Sequence, residues 1–387
     1  MKVGIVGGGP SGLYLALLLK RHKPELKVTV YEQNRAEDTF GFGVVMADTG
    51  LSSLEAADKI SHDALRNDMH FAHQQTICLN DQKLDIKRPG AGGGAITRLK
   101  LLHILHRQCQ EANVDMRFSS RLDMANGGLQ AIYDESDLVV GADGVGSVVR
   151  GQMVDAFGTT HRLLSNRFAW YGTTCLFANP ALVFREHGGG HFVAHYYRYS
   201  DTMSTFVAEC NEATWFHCGL DKMSDDERQA LFERLFASEL QGLPLVASNS
   251  VWRQFPVIRN ERWHSGKTVL IGDALSSAHF SIGSGTRIAM EDSIALAQAI
   301  VANMDDVTAI GPAYEAARRP GKDKLIGASE NSFNWYEDIA RHMASDNIYE
   351  FVYSFMTRTG RIDLDRLRAQ FPELVAAIEA GRLAKAA

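Results

Sequence analysis

Residues 2–12, Lys2-Val3-Gly4-Ile5-Val6-Gly7-Gly8-Gly9-Pro10-Ser11-Gly12, decide how the rest of the chain is read. An apolar run of strand length feeds Gly7-x-Gly9-x-x-Gly12. A helix-length apolar segment follows from Leu13 to Arg21, and a second β-rich run from Lys27 to Tyr31 ends in Glu32 and Gln33. Strand, glycine turn, helix, strand and acid in this register form a dinucleotide-binding pattern. Gly7 allows the tight turn, Gly9 lets the backbone approach a pyrophosphate, and Gly12 lets helix and strand pack closely. The phosphates would lie over the helix N-terminus, where Pro10 and Ser11 open the first turn. Glu32 would accept a hydrogen bond from a ribose hydroxyl.

Two later segments repeat the theme of a buried strand ending in an acid beside glycine. Asp137-Leu138-Val139-Val140-Gly141-Ala142-Asp143-Gly144 ends in a small-residue turn, with a helix starting near Ser147. Asp143, Gly144 and the turn amides are expected to face whatever lies beyond the strand end. Thr268-Val269-Leu270-Ile271-Gly272-Asp273 leads through Ala278-His279-Phe280 to Gly283-Ser284-Gly285-Thr286 and a long helix. The first amides of that helix can stabilise negative charge.

Between these motifs the texture varies. Phe40-Gly41-Phe42-Gly43 suits either backbone laid against a flat ligand or a plain glycine turn. Leu51 to Leu65 reads as a helix, and Pro89-Gly90-Ala91-Gly92-Gly93-Gly94 as a loop. Thr97 is placed to cap the next helix, so Arg98 falls in its first turn, where positive charge is disfavoured unless an anion is near. Arg98 is therefore a candidate phosphate or ribose contact, a solvated surface arginine being the other reading. From about Phe168 to Val251, aromatic and β-branched runs alternate as strands of a sheet with one covered face, backed by a helix over 224–239. Ala313 to Ala387 reads as helical.

The expected architecture is α/β. A Rossmann-like FAD-binding domain takes residues 1–68, 95–165 and 255–300, an inserted β-sheet substrate domain takes 69–94 and 166–254, and a helical region takes 301–387. Composition agrees with an ordinary globular protein: 387 residues, 45% hydrophobic, 22% charged, formal net charge −6. That balance gives no electrostatic case for nucleic acid or an anionic membrane, and no apolar run reaches membrane-spanning length. Five cysteines show no CxxC pair, and the histidines match no compact metal motif, so no metal is assigned. The first strand begins right after Met1, leaving no room for a signal peptide, so cytoplasm is the expected location. Oligomeric state is not legible.

Gly7-x-Gly9-x-x-Gly12, Asp143-Gly144 and Gly272-Asp273, in this order and spacing, resemble the single-component FAD-dependent aromatic hydroxylases of para-hydroxybenzoate hydroxylase fold. The likeness spans essentially the whole chain. It implies that Glu32 meets the adenosine ribose, Arg98 the FAD, and Asp273 the ribityl or pyrophosphate region, while Asp143 and Gly144 serve FAD and NAD(P)H. The common family pattern has histidine, proline and asparagine where this chain has Ser276, Phe280 and Arg287. The segment 278–286, with Tyr199 to Phe206 and Ser332 to Glu337, instead resembles the branch of salicylyl-CoA 5-hydroxylase, 2-aminobenzoyl-CoA monooxygenase and the violacein-pathway tryptophan hydroxylase.

The implied chemistry is that NADH or NADPH reduces FAD, O2 forms a C4a-hydroperoxide, and an electron-rich aromatic ring attacks its distal oxygen. The protein must exclude water and place the ring. Within this resemblance the amides around Gly283, Gly285 and Thr286 would hold the flavin adduct. His279 is the candidate for orienting or deprotonating substrate, a ring that only fills space being the alternative. Trp170, Tyr171 and Phe280 are candidates for the ring pocket. A CoA thioester is the expected substrate, and Arg287, Arg319, Lys322 or Lys324 could meet its phosphates unless they are solvated helix charges. A free indole or aromatic acid is the second reading, and a flavin-binding redox sensor the non-enzymatic one.

Overall fold

The computed structural model describes residues 1–38, 42–87, 93–122, 127–248, 250–345 and 347–386, with the backbone alone at 48 and 382–386. Phe40-Gly41 and Pro89 to Gly92 therefore lie outside the described residues.

Three runs of apolar residues form the centre of the first sheet. Its order is His264–Ser265, Thr268–Leu270, Leu138–Gly141, Lys2–Val6, Lys27–Tyr31 and Asp115–Arg117, all parallel except the first pair. The strands that carry the three motifs are thus neighbours, and all three end at the same edge. That is why segments about 130 residues apart in sequence converge, as open parallel sheets generally gather ligands beyond their carboxyl ends. The helices Pro10–His22 and Gly285–Ala302 cover one face, with Ser293 donating to the Ser11 carbonyl between them at 2.8 Å. Gly12 is required by this packing: a Cβ there would stand 2.0 Å from the Gly7 carbonyl oxygen.

The second sheet has eight strands. Leu245–Val246, Thr159–Thr173, Ser204–Cys210, Gly190–Arg198, Ala181–His187, Gln74–Leu79 and Gln82–Lys87 follow one another, and Arg253–Asn260 pairs with Thr159–Thr173. Two of these strands cross the boundaries expected at 165 and 255 and carry the chain directly from one sheet to the other. Strand alternation then sorts side chains by face. Tyr171, Phe206, Ala208, Cys210, Phe192 and Ala194 turn one way, into a core shared with Phe232 and Phe236 of the helical segment 225–240. Phe168, Trp170, Val207, Glu209, His195 and Tyr197 turn the other way, toward cavities. A small third sheet, Gly43–Met46 with Gly94–Thr97 and His70–Phe71, bridges the two larger ones. It is tied to the second sheet by Tyr197 Oη donating to the Gly43 carbonyl at 2.9 Å.

Two local expectations are corrected. The helix over 51–65 is two helices, Asp48–Ala57 and Lys59–Asn67, because Asp58 leaves helical geometry and its carboxylate accepts from the Ser61 amide. Thr97 occupies the N-cap position of the helix Arg98–Glu111, but its side chain makes no capping bond.

The long helix Val307–Glu337 spans both sheets. Its Lys322 and Arg318 reach the fully buried Asp292, whose carboxylate also accepts the Gly272 amide at 3.0 Å. A buried charge of this kind is tolerated only because it is paired and hydrogen-bonded. Lys322→Met should therefore cost about 3–5 kcal/mol, the range for breaking one side of a buried ion pair. The check is the denaturant midpoint of the purified protein; a midpoint equal to wild type would remove this cluster from the stability of the fold.

Candidate functional site

Two adjoining cavities open between the sheets, of 540 Å³ and 490 Å³. The larger one lies beyond the ends of the three motif strands. Gly9, Pro10 and Ser11 border it, as do Arg98, Gly144, Asp273, Gly283, Gly285 and Thr286. Nine cofactor candidates named from the sequence thus share one cavity. Gly9 has nothing within 4 Å of where a Cβ would sit, so the helix N-terminus is open to a close-approaching ligand.

Asp273 and Arg98 face this cavity from opposite elements, the Gly272 turn and the first turn of the helix Arg98–Glu111. Desolvation raises the Asp273 carboxyl above its ordinary range, opposed by Lys322 and Arg98. Among the described residues Arg98 makes no ion pair. Asp273 and Glu32 are its nearest counter-charges, and desolvation lowers its pKa. A desolvated guanidinium facing a cavity, beside helix amides and opposite an acid, is the donor set a dinucleotide with its phosphates and ribityl hydroxyls requires.

Other candidates act through the backbone they shape. Glu32 accepts the Gly8 amide at 2.7 Å and both amides of Asn34 at 2.8 Å, which fixes the carboxylate beside the glycine turn; Gln33 next to it is exposed. Asp143 does not face the cavity. It accepts from Ser147 Oγ at 2.5 Å and the Val148 amide at 2.6 Å, so its carboxylate builds the turn that presents Gly144. Gly7, Gly12 and Gly272 shape the walls without bordering the cavity.

The smaller cavity lies against the second sheet. Val45, His195, Tyr197, Val207, Phe280 and Gly283 border both cavities and form the passage between them. Phe280 stacks obliquely with Phe168 at 4.7 Å and with Trp170 at 5.7 Å, an aromatic wall on the cofactor side. Trp170 and Phe280 both border the larger cavity. Tyr171 does not: alternation puts it on the opposite face, where Trp252 Nε1 donates to its hydroxyl at 3.1 Å.

His279 is also corrected. It borders neither cavity and is 2% exposed, packed against Phe255, Phe280 and Phe333, and its Nδ1 accepts from the Ser281 amide at 3.3 Å. Burial, with Arg358 nearby, lowers its pKa to about 3, so the ring is neutral and structural. The proposed CoA-phosphate contacts face elsewhere. Arg287 pairs with Glu291, Arg319 with Glu315 and Lys322 with Asp292, and Lys324 is exposed on the long helix; none borders a cavity.

Sequence reading missed Glu209 and Arg358, which both border the smaller cavity. Glu209 is 3% exposed, and desolvation, with Glu337 nearby, pushes it up to about 8 against a hydrogen bond from Asn166 Nδ2 at 3.0 Å. A glutamate amid Ala208 and Cys210 in a strand otherwise free of charge was the available signal. Arg358 follows the helix Ile348–Thr357 and reaches the site only through tertiary folding.

The neutral His279 makes a pH prediction. An unfolded histidine titrates near 6.5, about three and a half units above this one, so the unfolded state gains the proton first. Its contribution to stability is complete above about pH 6.5 and is lost as pH falls toward 3. Denaturant midpoints measured from pH 7 to 4 should fall, and less steeply in His279→Phe; parallel curves would place the acid sensitivity elsewhere.

The FAD binding domain family model matches residues 1–328. Salicyloyl-CoA 5-hydroxylase of a Streptomyces species is 38% identical over 93% of this chain and 70% of its own length. Protodeoxyviolaceinate monooxygenase of Chromobacterium violaceum, named for that compound rather than for tryptophan, is 33% identical over 92% of this chain and 94% of its own. The crystal structure of 2-methyl-3-hydroxypyridine-5-carboxylic acid oxygenase superposes with a TM-score of 0.71 at 17% identity, covering 95% of this chain and 96% of that one. The overall fold therefore recurs in a solved structure, and the chain belongs to the FAD binding domain family, in its branch of FAD-dependent aromatic monooxygenases.

Proposed function

We propose that this protein is an NAD(P)H-using hydroxylase of an aryl-CoA thioester whose ring carries an electron-donating substituent, such as salicyloyl-CoA or 2-aminobenzoyl-CoA. The observation that carries the reading is the pair of cavities joined at Phe280 and Gly283: a cofactor-sized space beyond the glycine turns opens into an aromatic-lined space against the second sheet. FAD, when bound and reduced by NADH or NADPH, would activate O2 so that one of its oxygen atoms passes to the ring. The chain's own groups do the rest. The helix amides after Gly9 take the pyrophosphate, Glu32 the ribose, Arg98 and Asp273 the phosphate and ribityl groups, and the amides around Gly283, Gly285 and Thr286 the flavin ring. Phe168, Trp170 and Phe280 keep water from the passage and confine an aromatic ring near it.

The thioester is favoured by the 38% identity to salicyloyl-CoA 5-hydroxylase across nearly the whole chain. A free indole-derived substrate is the second reading, favoured by the 33% identity to protodeoxyviolaceinate monooxygenase.

Asp273→Ala and Arg98→Met are each expected to raise the Kd for FAD by roughly tenfold, about 1.4 kcal/mol. An unchanged flavin-to-protein ratio and affinity would take that residue out of the cofactor site. For the reaction, FAD-loaded protein is mixed with NADH or NADPH and salicyloyl-CoA, 2-aminobenzoyl-CoA, their free acids or tryptophan, following nicotinamide loss and product mass. A gain of one oxygen on a thioester alone is the expected result. Hydroxylation of a free acid or indole instead would transfer the assignment to the second reading.

A further inference from the structure

The smaller cavity is bordered by Glu209 and Arg358, which do not pair with each other, as well as by His70, His195 and Arg198. Glu209 stands on the strand Ser204–Cys210, two residues beyond Val207, which borders both cavities. Its hydrogen-bond partner is Asn166, itself fixed because its other contacts are the Tyr336 carbonyl and, through the backbone amide, Glu337. Arg358 enters from the opposite side. Its Nε donates to Ser332 Oγ at 3.0 Å, Nη1 to the Phe355 carbonyl at 2.7 Å and Nη2 to the Ser281 carbonyl at 2.8 Å. The guanidinium lies 3.8 Å from the centre of the Phe355 ring.

Among the described residues no carboxylate lies within ion-pair distance of Arg358, and Glu209 has no cationic partner. A guanidinium offers five N–H donors, and three are engaged here by neutral oxygens. The charge is thus desolvated but not neutralised, beside the turn that leads to Gly283. Glu209, held mostly uncharged by its surroundings, can stand against an aromatic ring without demanding a counter-ion. Each group is one step from the passage: Glu209 through Val207, Arg358 through Ser281 and Gly283.

We infer that Glu209 and Arg358 form the substrate-reading pair of this cavity, Arg358 donating to the acyl oxygen of an aroyl substrate and Glu209 sharing a hydrogen bond with its ring hydroxyl or amino group. The inference rests on the aryl-CoA reading for the identity of the acyl carrier, but the two contacts belong to the aroyl unit itself. It accounts for a cavity with Phe177, Leu182, Val193 and Ile362 in its walls that brings in a buried acid and a partly buried guanidinium without pairing the two. An acyl oxygen supplies partial negative charge to the guanidinium, and a phenol or aniline supplies a hydrogen-bond partner for the carboxyl oxygen that Asn166 does not engage.

The pair is separated by comparing salicyloyl-CoA with benzoyl-CoA, which lacks the ring hydroxyl, as ligands of the FAD-loaded protein. Affinities are read from the change in flavin absorbance on titration. Wild type should prefer salicyloyl-CoA by about tenfold, the worth of one good hydrogen bond. Glu209→Leu should reduce that preference to near unity while leaving the benzoyl-CoA Kd within about threefold. Arg358→Met should weaken both ligands alike, by tenfold or more, because the acyl oxygen is common to them. FAD content and denaturant midpoint are measured on every variant, and Arg358→Lys is included to restore charge if Arg358→Met does not fold. A preference retained in Glu209→Leu, or affinities unchanged in the Arg358 variants, would overturn the pair. If the thioesters do not bind wild type but salicylate and benzoate do, the thioester reading fails, and the same comparison with the acids decides the pair. If none of the four ligands binds wild type, the pair falls as well.

Discussion

The carboxylate of Asp292, buried between two sheets and held by Gly272, Arg318 and Lys322, is the contact on which the arrangement of the site depends. It joins the end of a motif strand to the long helix Val307–Glu337, and every later segment of the site is hung on that helix. Ser329 accepts the His279 amide at 2.8 Å, Ser332 meets Ser281 and Arg358, and Glu330 pairs with Arg259. At the far end Glu337 accepts the amides of Ser165 and Asn166 at 2.9 Å, which sets the position of Asn166 and hence of Glu209. One helix therefore fixes the cofactor side and the substrate side relative to each other. Desolvated ion pairs add little net stability over apolar packing but are strict about geometry, and geometry is what two cavities sharing a wall require.

The electrostatic characters of the two cavities differ in a way that suits their contents. The cofactor side offers helix N-termini, Arg98 and the acid Asp273, a set for phosphates and hydroxyls. The smaller cavity offers aromatic and aliphatic walls with a few polar groups, Glu209 and Arg358 among them, a set that suits one flat molecule with polar substituents.

The parts of this plan that sequence revealed are those encoded by local rules. Glycine spacing, an acid at a strand end and apolar runs of strand length together place Gly9, Gly144 and Asp273 around one cavity, because a parallel sheet brings its strand ends together. The alternating texture after Phe168 likewise announces a sheet, yet choosing Tyr171 along with Trp170 ignored the period of two that sends neighbours to opposite faces. His279 misled for a different reason. Its place beside the glycine turn is local, but its burial against Phe255 and Phe333 comes from distant segments. Arg358 was invisible on the same account: nothing near it in sequence says that it will donate to the Ser281 carbonyl. Glu209 falls within the stretch read as strands, but what buries it against Asn166 and Glu337 comes from other segments.

The strands Thr159–Thr173 and Arg253–Asn260, paired with each other in the second sheet, the latter followed closely by His264–Ser265 of the first, have a consequence for modularity. Both cross the boundaries at 165 and 255, so neither boundary falls in a linker. Any cut that released the cofactor-binding half would strip hydrogen-bonded partners from the middle of the other. The halves are a single mechanical object, and a chimera that grafts a new pocket onto this nucleotide-binding sheet would have to exchange both strands as a pair.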